Sequence, residues 1–369
     1  MSMNFDSVKL GNITLNNRFV RAATWEGLAD ENGYSTTKLA DFMKVLAEGH
    51  VGLIITGHAY VSPEGQAHHH QLAVYHDKFV PKLSGMTRAV HEAGGKIFLQ
   101  IAHAGFRADR RLTGLESIGP SAIMEDGPNP ICRAMTLEEI EIMCSAFGDA
   151  ALRAQMGGFD GVEIHGGHGY LINQFQAPLF NRRTDQYGGS LQNRSRILWG
   201  VIQNIRTKVG DKFPVIIKMN SEDFFEQGFT LEEMLELSKL LDQEGTIDAI
   251  EMSGGNSYRG IGRYSPVRSG KMTPQEEVWY RDSAVKFKSS ISIPLMLVGG
   301  IRSLEIAKSL IADGIADYIS MSRPLICEPA LIRRWESGDA RPALCKSDTL
   351  CFKKLLEGDD LKCDVFKVG

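Results

Sequence analysis

The 369-residue sequence lacks both a long apolar segment and an excess of charge of either sign. No uncharged apolar run reaches the length of about 18 residues that a membrane helix needs, and the N-terminus "MSMNFDSVKLGN" has no basic region followed by an apolar one. The 41 Lys and Arg against 45 Asp and Glu give a formal net charge of -4, too balanced to attract nucleic acid or an anionic membrane. We therefore expect a cytoplasmic protein that acts on small molecules; the sequence leaves a homo-oligomer open.

Cysteine is also sparse, with six residues in the whole chain. This number is too low for a disulfide framework at this length, and it suits a reducing compartment. Three of the six lie in "CKSDTLCFKKLLEGDDLKC" near the C-terminus, where Cys345, Cys351 and Cys363 are separated by five and eleven residues.

Eight short runs rich in branched residues alternate with helical stretches. The runs are "NRFVRAAT", "VGLIITG", "GKIFLQIA", "FDGVEIH", "FPVIIKMN", "IDAIEMS", "IPLMLVGG" and "ADYISMS". Helix starts with capping-box spacing occur at Thr136 with Glu139, Thr230 with Glu233, and Thr273 with Glu276. Eight apolar strands, each followed by a helix, predict an α/β fold that is a single (β/α)8 TIM barrel. The alternative, a doubly wound open sheet, is disfavoured because no Gly-x-Gly-x-x-Gly follows any of the runs.

In such a barrel the loops after the carboxyl ends of the strands converge on one face. The residues at these ends are polar or glycine: Thr24, Trp25, Gly57, His58, Gln100, His103, His165, His168, Lys218, Asn220, Ser253, Gly299, Gly300, Ser322 and Arg323. Two loops, residues 103–135 and 253–273, are unusually long and predict lids or substrate walls. For Arg107, Arg110 and Arg111 in the first loop, a solvated face is favoured over a role in recognition.

The ends of the seventh and eighth strands predict a phosphate site. Gly299 and Gly300 follow the seventh strand and Ser303 begins a helix, while Ser322 and Arg323 follow the eighth strand. Backbone amides freed by glycine, a helix N-terminus and a guanidinium all bind phosphate, and barrels commonly bind it at this corner.

The segment "HGGHGYLINQFQAPLFNRRTDQYGGS" begins with His165 and His168, followed by Tyr170. The two histidines can be metal ligands, hydrogen-bond donors to a substrate, or two unrelated structural residues. A metal-dependent barrel hydrolase with His165, His168 and Lys218 as ligands is one hypothesis; against it, the first strand has no His-x-His and the eighth ends in Ser and Arg rather than Asp. The "AHHHQ" stretch, His68 to His70, is expected to be a solvated loop.

"NRFVRAAT", "LQIAHAG", the long histidine segment, "VGGI" and "SRPL" follow one another as in the Old Yellow Enzyme family of FMN-dependent NAD(P)H oxidoreductases, which the chain resembles from about residue 4 to 337. The barrels of the 2,4-dienoyl-CoA and enoate reductases are related. The resemblance implies FMN at the strand ends, with NAD(P)H as a transient reductant. It implies an FMN-binding barrel over residues 1–337 and a tail over residues 338–369. The flavin site that it implies is Ala23, Thr24, Gly57, His58, Gln100, His165, Lys218, Gly299, Gly300, Ser322 and Arg323.

The activity implied by the resemblance is reduction of the activated C=C bond of an α,β-unsaturated carbonyl compound. His165 and His168 would anchor the carbonyl oxygen and stabilise the charge that develops there, and Tyr170 would donate a proton to the α-carbon. Trp25 would contact the substrate, and the glycines at 166, 167 and 169 would leave room for it. The alternative within this class is an FMN enzyme with another acceptor or an oxidative demethylase.

Longer members of the family follow the barrel with a four-cysteine iron–sulfur motif and a nucleotide-binding domain. In this chain Asp348 occupies one of the cysteine positions of the pattern C-x2-C-x2-C-x11-C. We expect a degenerate motif with reduced thiols, with a [4Fe–4S] cluster as the alternative. Because the chain ends soon after the motif, NAD(P)H is expected to dock directly on the flavin.

Overall fold

The computed structural model describes residues 3–124, 130–256, 265–270, 273–358, 361 and 363. Its strands are β1 (Val8–Leu10), β2 (Ile13–Leu15), β3 (Phe19–Arg21), β4 (Leu53–Ile55), β5 (Ala59–Tyr60), β6 (Ile97–Ala102), β7 (Ile118–Gly119), β8 (Ile123–Met124), β9 (Pro130–Ala134), β10 (Gly161–Gly166), β11 (Val215–Asn220), β12 (Ala249–Ser253), β13 (Leu295–Leu297) and β14 (Tyr318–Met321).

Its helices are α1 (Thr37–Glu48), α2 (Val80–Glu92), α3 (Arg110–Thr113), α4 (Leu137–Met156), α5 (Leu171–Gln176), α6 (Leu191–Arg194), α7 (Arg196–Val209), α8 (Leu231–Glu244), α9 (Arg281–Lys288), α10 (Leu304–Ala312), α11 (Arg323–Cys327), α12 (Leu331–Glu336) and α13 (Leu350–Leu356). In the described part of the chain, none of these helices combines the length and apolar character of a membrane span.

Eight of the strands form a closed parallel barrel. The order is β3, β4, β6, β10, β11, β12, β13 and β14, and β14 pairs back with β3 to close the ring. The predicted barrel is therefore confirmed, with each predicted apolar run supplying one strand. Branched residues favour these strands because both faces of a barrel sheet are buried, one against the helices and one inside the ring.

The β1–β2 hairpin closes the end of the barrel opposite the strand carboxyl ends. Its Leu10 and Leu15 belong to the same buried cluster as Phe98, Ile216 and other inward-facing strand residues. The lower half of the ring is thus filled with apolar side chains, which leaves the carboxyl-terminal end for polar groups.

Two of the three predicted capping boxes are confirmed. Thr136 begins α4 and Thr230 begins α8, each with reciprocal side-chain hydrogen bonds to the third helical residue. The prediction at Thr273 is confirmed only in part: its amide donates to the Glu276 carboxylate at 2.7 Å and a helical turn begins at Pro274, but this turn is a single 3₁₀ turn, and α9 begins at Arg281. The intervening Val278 has φ of 64°, a left-handed conformation that interrupts a helix.

Candidate functional site

The carboxyl ends of the barrel strands surround a cavity of about 650 Å³. Among the predicted site residues, its lining includes Ala23, Thr24, Trp25, His58, Gln100, His165, His168, Tyr170, Lys218, Gly299, Gly300, Ser322 and Arg323. Gly57 is not part of the lining; its amide donates to Glu26 Oε1 at 2.8 Å. Pockets of this size in proteins accommodate a cofactor or a drug-sized ligand.

One corner of the cavity has the features of an anion cradle. Gly299 and Gly300 adopt φ of 121° and 77°, conformations that place their backbone where a side chain would strain it. Arg323 has a buried Nη1 without a hydrogen-bond partner, and its guanidinium lies 5.8 Å from the Trp279 ring centroid. An unpartnered buried guanidinium calls for an anion, and phosphate satisfies it well.

The predicted contribution of Ser303 to this cradle is wrong. The backbone amides of Arg302 and Ser303 donate to Glu277 Oε2 at 2.9 and 3.1 Å, and the Ser303 hydroxyl donates to the same carboxylate. Since Glu277 already occupies the start of α10, the anion cradle reduces to the glycines and Arg323.

Buried charges lie at the floor of the cavity. Lys218 forms an ion pair with Glu251 and lies 3.9 Å from a Glu163 carboxylate oxygen. Gln100 Nε2 donates to Glu163 at 2.6 Å, and the Ser320 hydroxyl donates to Glu251. Burial lowers the pKa of Lys218 and raises that of Glu163, and each opposite charge works against that shift. Lys218 therefore presents a cation to the cavity, and the carboxylates of Glu163 and Glu251 stabilise this cation at the cavity floor.

A second buried ion pair stabilises the end of the first barrel strand. Arg21 contacts Glu26 at 2.9 Å, and its guanidinium also donates to the Thr24 carbonyl at 2.9 Å. This pair fixes the backbone that carries Thr24 and Trp25 into the cavity. The only signal in the sequence is a single arginine within an otherwise apolar strand.

His165, His168 and Tyr170 lie together on one wall. The His165 ring centroid is 5.4 Å from that of His168 and 4.6 Å from that of Tyr170. His168 Nε2 shares a 2.7 Å hydrogen bond with Ser253 Oγ, and the Tyr170 hydroxyl lies 3.3 Å from His58 Nε2. The sequence-based prediction placed His58 only near the flavin, whereas the structure also makes it the partner of Tyr170.

Burial sets the protonation of these groups. It lowers the pKa of His165 well below its usual value and, together with Lys218 and Arg107, that of His168 to about 3. Burial also raises the pKa of Tyr170. His165 Nδ1 accepts from the Gly167 amide at 3.4 Å, which in a neutral ring leaves Nε2–H as a donor. At neutral pH the wall thus holds neutral imidazoles and a protonated phenol.

The glycines between these residues have a different role from the one predicted. A Cβ at Gly167 would lie 2.6 Å from Asn220 Oδ1, and one at Gly169 would lie 2.3 Å from Asn256 Oδ1. Neither glycine lines the cavity. They allow the histidine loop to approach the neighbouring strand ends instead of making room for a substrate.

The loop of three histidines is only partly solvated, so that prediction is wrong for His68. Its ring stacks on Trp25 with centroids 4.2 Å apart, and it lines the cavity. Burial lowers its pKa to about 4. His69 is exposed, as expected, and His70 Nδ1 lies 3.0 Å from the Ala29 carbonyl.

The two long loops supply further walls. Arg107, in the 3₁₀ turn Gly105–Arg107 after β6, lines the cavity, whereas Arg110 and Arg111 are exposed. The solvated face expected for the three arginines is therefore wrong for Arg107. The described part of the second loop contributes Ser265, Pro266 and Val267 to the lining, and the rest of it lies largely outside the described residues.

The tail also reaches the cavity. Its lining residues are Cys345, Ser347, Thr349, Phe352, Lys353 and Leu356. Cys351 and Leu355 pack against Ile326 of α11, with Trp25 at the edge of this cluster. Burial raises the pKa of the Cys351 thiol to about 11, and Cys363 lies within hydrogen-bond contact of Cys327, a cysteine outside the tail motif. Within the described ranges, no cluster of three or more His, Cys, Asp or Glu residues is arranged to hold a metal ion.

Two of the three ligands in the hydrolase hypothesis are already engaged within the protein. His168 is hydrogen-bonded to Ser253 and Lys218 is paired with Glu251. The three side chains therefore do not present free electron pairs to a common point, as a catalytic metal would require.

A barrel with an anion cradle, a cation at the cavity floor and a neutral histidine–tyrosine wall fits a barrel enzyme that binds a phosphate-bearing cofactor. Residues 4–341 match the NADH:flavin oxidoreductase / NADH oxidase family, and the chain belongs to this family, that of Old Yellow Enzyme. Enzymes of this family are FMN-dependent NAD(P)H oxidoreductases. The chain is similar to the NADH oxidase of Thermoanaerobacter brockii, with 35% identity over 90% of this chain and 50% of the relative.

Two further proteins illustrate the extent of the similarity. The NADPH dehydrogenase of Halalkalibacterium halodurans is 35% identical over 88% of this chain and 91% of its own length. The structure of a 2-naphthoyl-CoA reductase in complex with 2-naphthoyl-CoA superposes with a TM-score of 0.90 at 27% identity, covering 99% of this chain and 57% of that one. The chain thus spans about half the length of some relatives and nearly all of others.

The donor set at the glycine and arginine corner fits the FMN phosphate, which yields a prediction for Arg323. Because charged hydrogen bonds contribute about 1.5–3 kcal/mol each, we expect Arg323→Ala to weaken FMN binding by about 100-fold or more. The measurement is titration of apoprotein with FMN, followed by quenching of flavin fluorescence. Riboflavin, which lacks the phosphate, should lose much less affinity, and Arg333→Ala at an exposed position serves as the control. Equal losses for FMN and riboflavin would assign the phosphate to other residues.

Proposed function

We propose that this protein reduces the activated C=C bond of α,β-unsaturated carbonyl compounds with NAD(P)H. The observation that carries the proposal is the wall of His165, His168 and Tyr170, which lies in the same cavity as the anion cradle. FMN, when bound, carries hydride from NAD(P)H to the alkene. The other requirements of the reaction, an anchor for the carbonyl oxygen and a proton for the α-carbon, are met by residues of the chain.

In this proposal the histidine pair anchors the substrate. The neutral His165 ring offers Nε2–H, and His168 is oriented by its hydrogen bond to Ser253. Two imidazole donors stabilise the negative charge that develops on the carbonyl oxygen, and they do so strongly because the site is buried. The stack of Trp25 on His68 forms a flat surface against which a substrate can lie.

Tyr170 is the proposed proton donor. Its raised pKa keeps the phenol protonated at neutral pH, and the 3.3 Å contact with His58 orients its hydroxyl. Since His58 Nε2 is a hydrogen-bonding neighbour, the phenol has an adjacent group through which its proton can be replaced after each turnover.

The residues proposed to hold FMN divide between the two ends of the cofactor. Gly299, Gly300, Ser322 and Arg323 would hold the phosphate, and Ala23, Thr24, Gln100 and Lys218 would surround the ring, with His58 and His165 beside it. Gly57 would act indirectly, because its amide holds Glu26. We assign the FMN-binding barrel to residues 1–337 and treat residues 338–369 as a tail, of which residues between Cys345 and Leu356 contribute to one wall of the same cavity.

A second candidate is an FMN oxidoreductase that passes electrons to another acceptor, with oxidative demethylation as one form of this chemistry. The similarity to a relative named an NADH oxidase favours it. In that case the histidine wall would bind a ligand without protonating it.

Anaerobic visible spectroscopy of the purified holoenzyme tests the proposal. NADH or NADPH should bleach the flavin bands, and 2-cyclohexenone should restore them. Bands that bleach and stay bleached with the enone but recover with oxygen would support the second candidate and overturn the first.

The pH dependence of the enone half-reaction follows from the pKa shifts of the wall. His165 and His168, with pKa values below the usual range, stay neutral as the pH rises from about 5, and Tyr170, with its raised pKa, stays protonated up to at least about 9. We expect a flat rate across this window, measured by stopped-flow reoxidation of the reduced enzyme. A rise in rate through about pH 6.5 would indicate an imidazole of ordinary pKa in the reaction.

A further inference from the structure

Arg107 is a cation in the cavity to which the flavin and the proposed alkene reduction assign no role. Its 3₁₀ turn follows β6, and the side chain is half-buried in the lining together with His68 and Tyr170. A solvated arginine would lie outside the cavity, as Arg110 and Arg111 do.

The guanidinium of Arg107 has no protein partner in the described part of the chain. Asp109, two residues further along the chain, is paired with Arg111 at 2.8 Å instead. A partly desolvated guanidinium without a carboxylate is costly, and an anionic ligand removes that cost.

The charge of Arg107 acts at the reactive end of the cavity. Burial raises the pKa of Tyr170, and Arg107 opposes this rise; at His168, Arg107 adds to the lowering caused by burial and by Lys218. An anion bound at Arg107 would therefore lie beside the groups that anchor and protonate the alkene.

The position of Arg107 is distinct from the anion cradle. Arg107 follows β6 and Arg323 follows β14, and in the closed sheet these strands are separated by β3 and β4. β6 instead pairs with β10, the strand that leads to His165 and His168. Arg323 thus lies in the anion cradle at one side of the cavity, and Arg107 lies next to the histidine wall.

Building on the proposed alkene reduction, we propose that Arg107 binds a carboxylate of the substrate, so that the preferred substrates are unsaturated carbonyl compounds that carry a carboxylate. The planar guanidinium can hold a carboxylate through two parallel hydrogen bonds, which orients the molecule as well as binding it. A phosphate of the nicotinamide cofactor is the other source of an anion, and the experiment separates the two.

The test compares (E)-4-oxopent-2-enoate with its methyl ester, which share one enone and differ in charge. The wild-type enzyme should prefer the acid, and Arg107→Met should lower the acid-to-ester ratio of kcat/KM by about 10- to 100-fold. Arg107→Lys should retain part of the ratio, and Arg110→Met, an exposed arginine of the same loop, should retain all of it. A ratio that is the same in Arg107→Met and in the wild type would overturn the proposal.

Two measurements keep this result independent of alkene reduction. Perturbation of the oxidised flavin spectrum gives the Kd of 4-hydroxybenzoate and of its methyl ester without turnover, and only the acid should bind more weakly to Arg107→Met. This binding measurement does not require turnover. If the acid binds more weakly but no enone is reduced, the carboxylate site is supported and only the proposed alkene reduction is refuted. Stopped-flow measurement of flavin reduction by NADH and NADPH tests whether Arg107 binds a phosphate of the nicotinamide cofactor instead. If Arg107→Met slows only this reduction and leaves the Kd of 4-hydroxybenzoate unchanged, Arg107 contacts the nicotinamide cofactor, and the proposed carboxylate site is refuted.

Discussion

Replacing Tyr170 with phenylalanine should slow alkene reduction by about 100- to 10,000-fold, the range typical for loss of a general acid. The substitution removes one hydroxyl from a side chain that is buried beside His165, so the shape of the cavity is preserved. Reduction of the flavin by NAD(P)H needs no proton from this residue and should change little. Stopped-flow measurement of the two half-reactions separates these effects.

Tyr280→Phe is a matched control for this experiment. Tyr280 is another buried tyrosine of the cavity lining; its hydroxyl donates to the Gly254 carbonyl at 2.9 Å and contacts Ser253, so it lies next to the histidine wall without forming part of it. If Tyr170→Phe slows both half-reactions equally, or slows neither, Tyr170 is not the proton donor.

Lys218→Met should destabilise the holoenzyme by about 3–5 kcal/mol, because it leaves two buried carboxylates without their cation. Glu251→Gln in the same background removes one of these charges while retaining an acceptor for the Ser320 hydroxyl. The double variant should therefore recover much of the lost free energy of unfolding. Denaturant titration in excess FMN gives the values, and a double-mutant cycle gives the coupling.

The Lys218→Met variant should also be less stable at alkaline pH than in acid. Without Lys218, burial raises the folded-state pKa of the Glu163 carboxyl further above the unfolded value of about 4.3. Below that value both states are protonated and no penalty arises. As the pH rises towards the folded pKa, only the unfolded state ionises, so the free energy of unfolding falls. A variant equally stable at about pH 5 and 8 would show that these carboxylates reach solvent.

The barrel was predictable because its signal is local. Each apolar run carries its own strand, and Thr136 and Thr230 mark helix starts through contacts with residues only three positions away. The positions at the strand ends could also be placed, since the fold brings them to one face whatever their side chains are. The cofactor class rested on the resemblance and on the family match.

Residues whose role depends on distant contacts could not be predicted. His68 and Arg107 look like loop residues in the sequence, and only the folding of their loops over the cavity turns them inward. Glu163 and Glu251 lie inside strands that the sequence predicts to be apolar. Their burial is stabilised by the cation of Lys218, which belongs to a third strand. The helical turn at Pro274 also stops early, and soon after it the Trp279 amide donates to the distant Gly299 carbonyl, a contact that the local sequence does not reveal.

Substitutions in the tail can change which substrates fit the cavity with little loss of folding stability. Phe352, Lys353 and Leu356 line the cavity from a seven-residue helix that contributes no strand to the barrel. Barrel residues that line the same space also hold the ring together, so substitutions there trade activity against folding. Substitutions on the outer helix escape much of this trade-off. For directed evolution, the lining residues of this helix are thus positions where libraries can reshape the cavity while His165, His168, Tyr170 and the barrel stay unchanged.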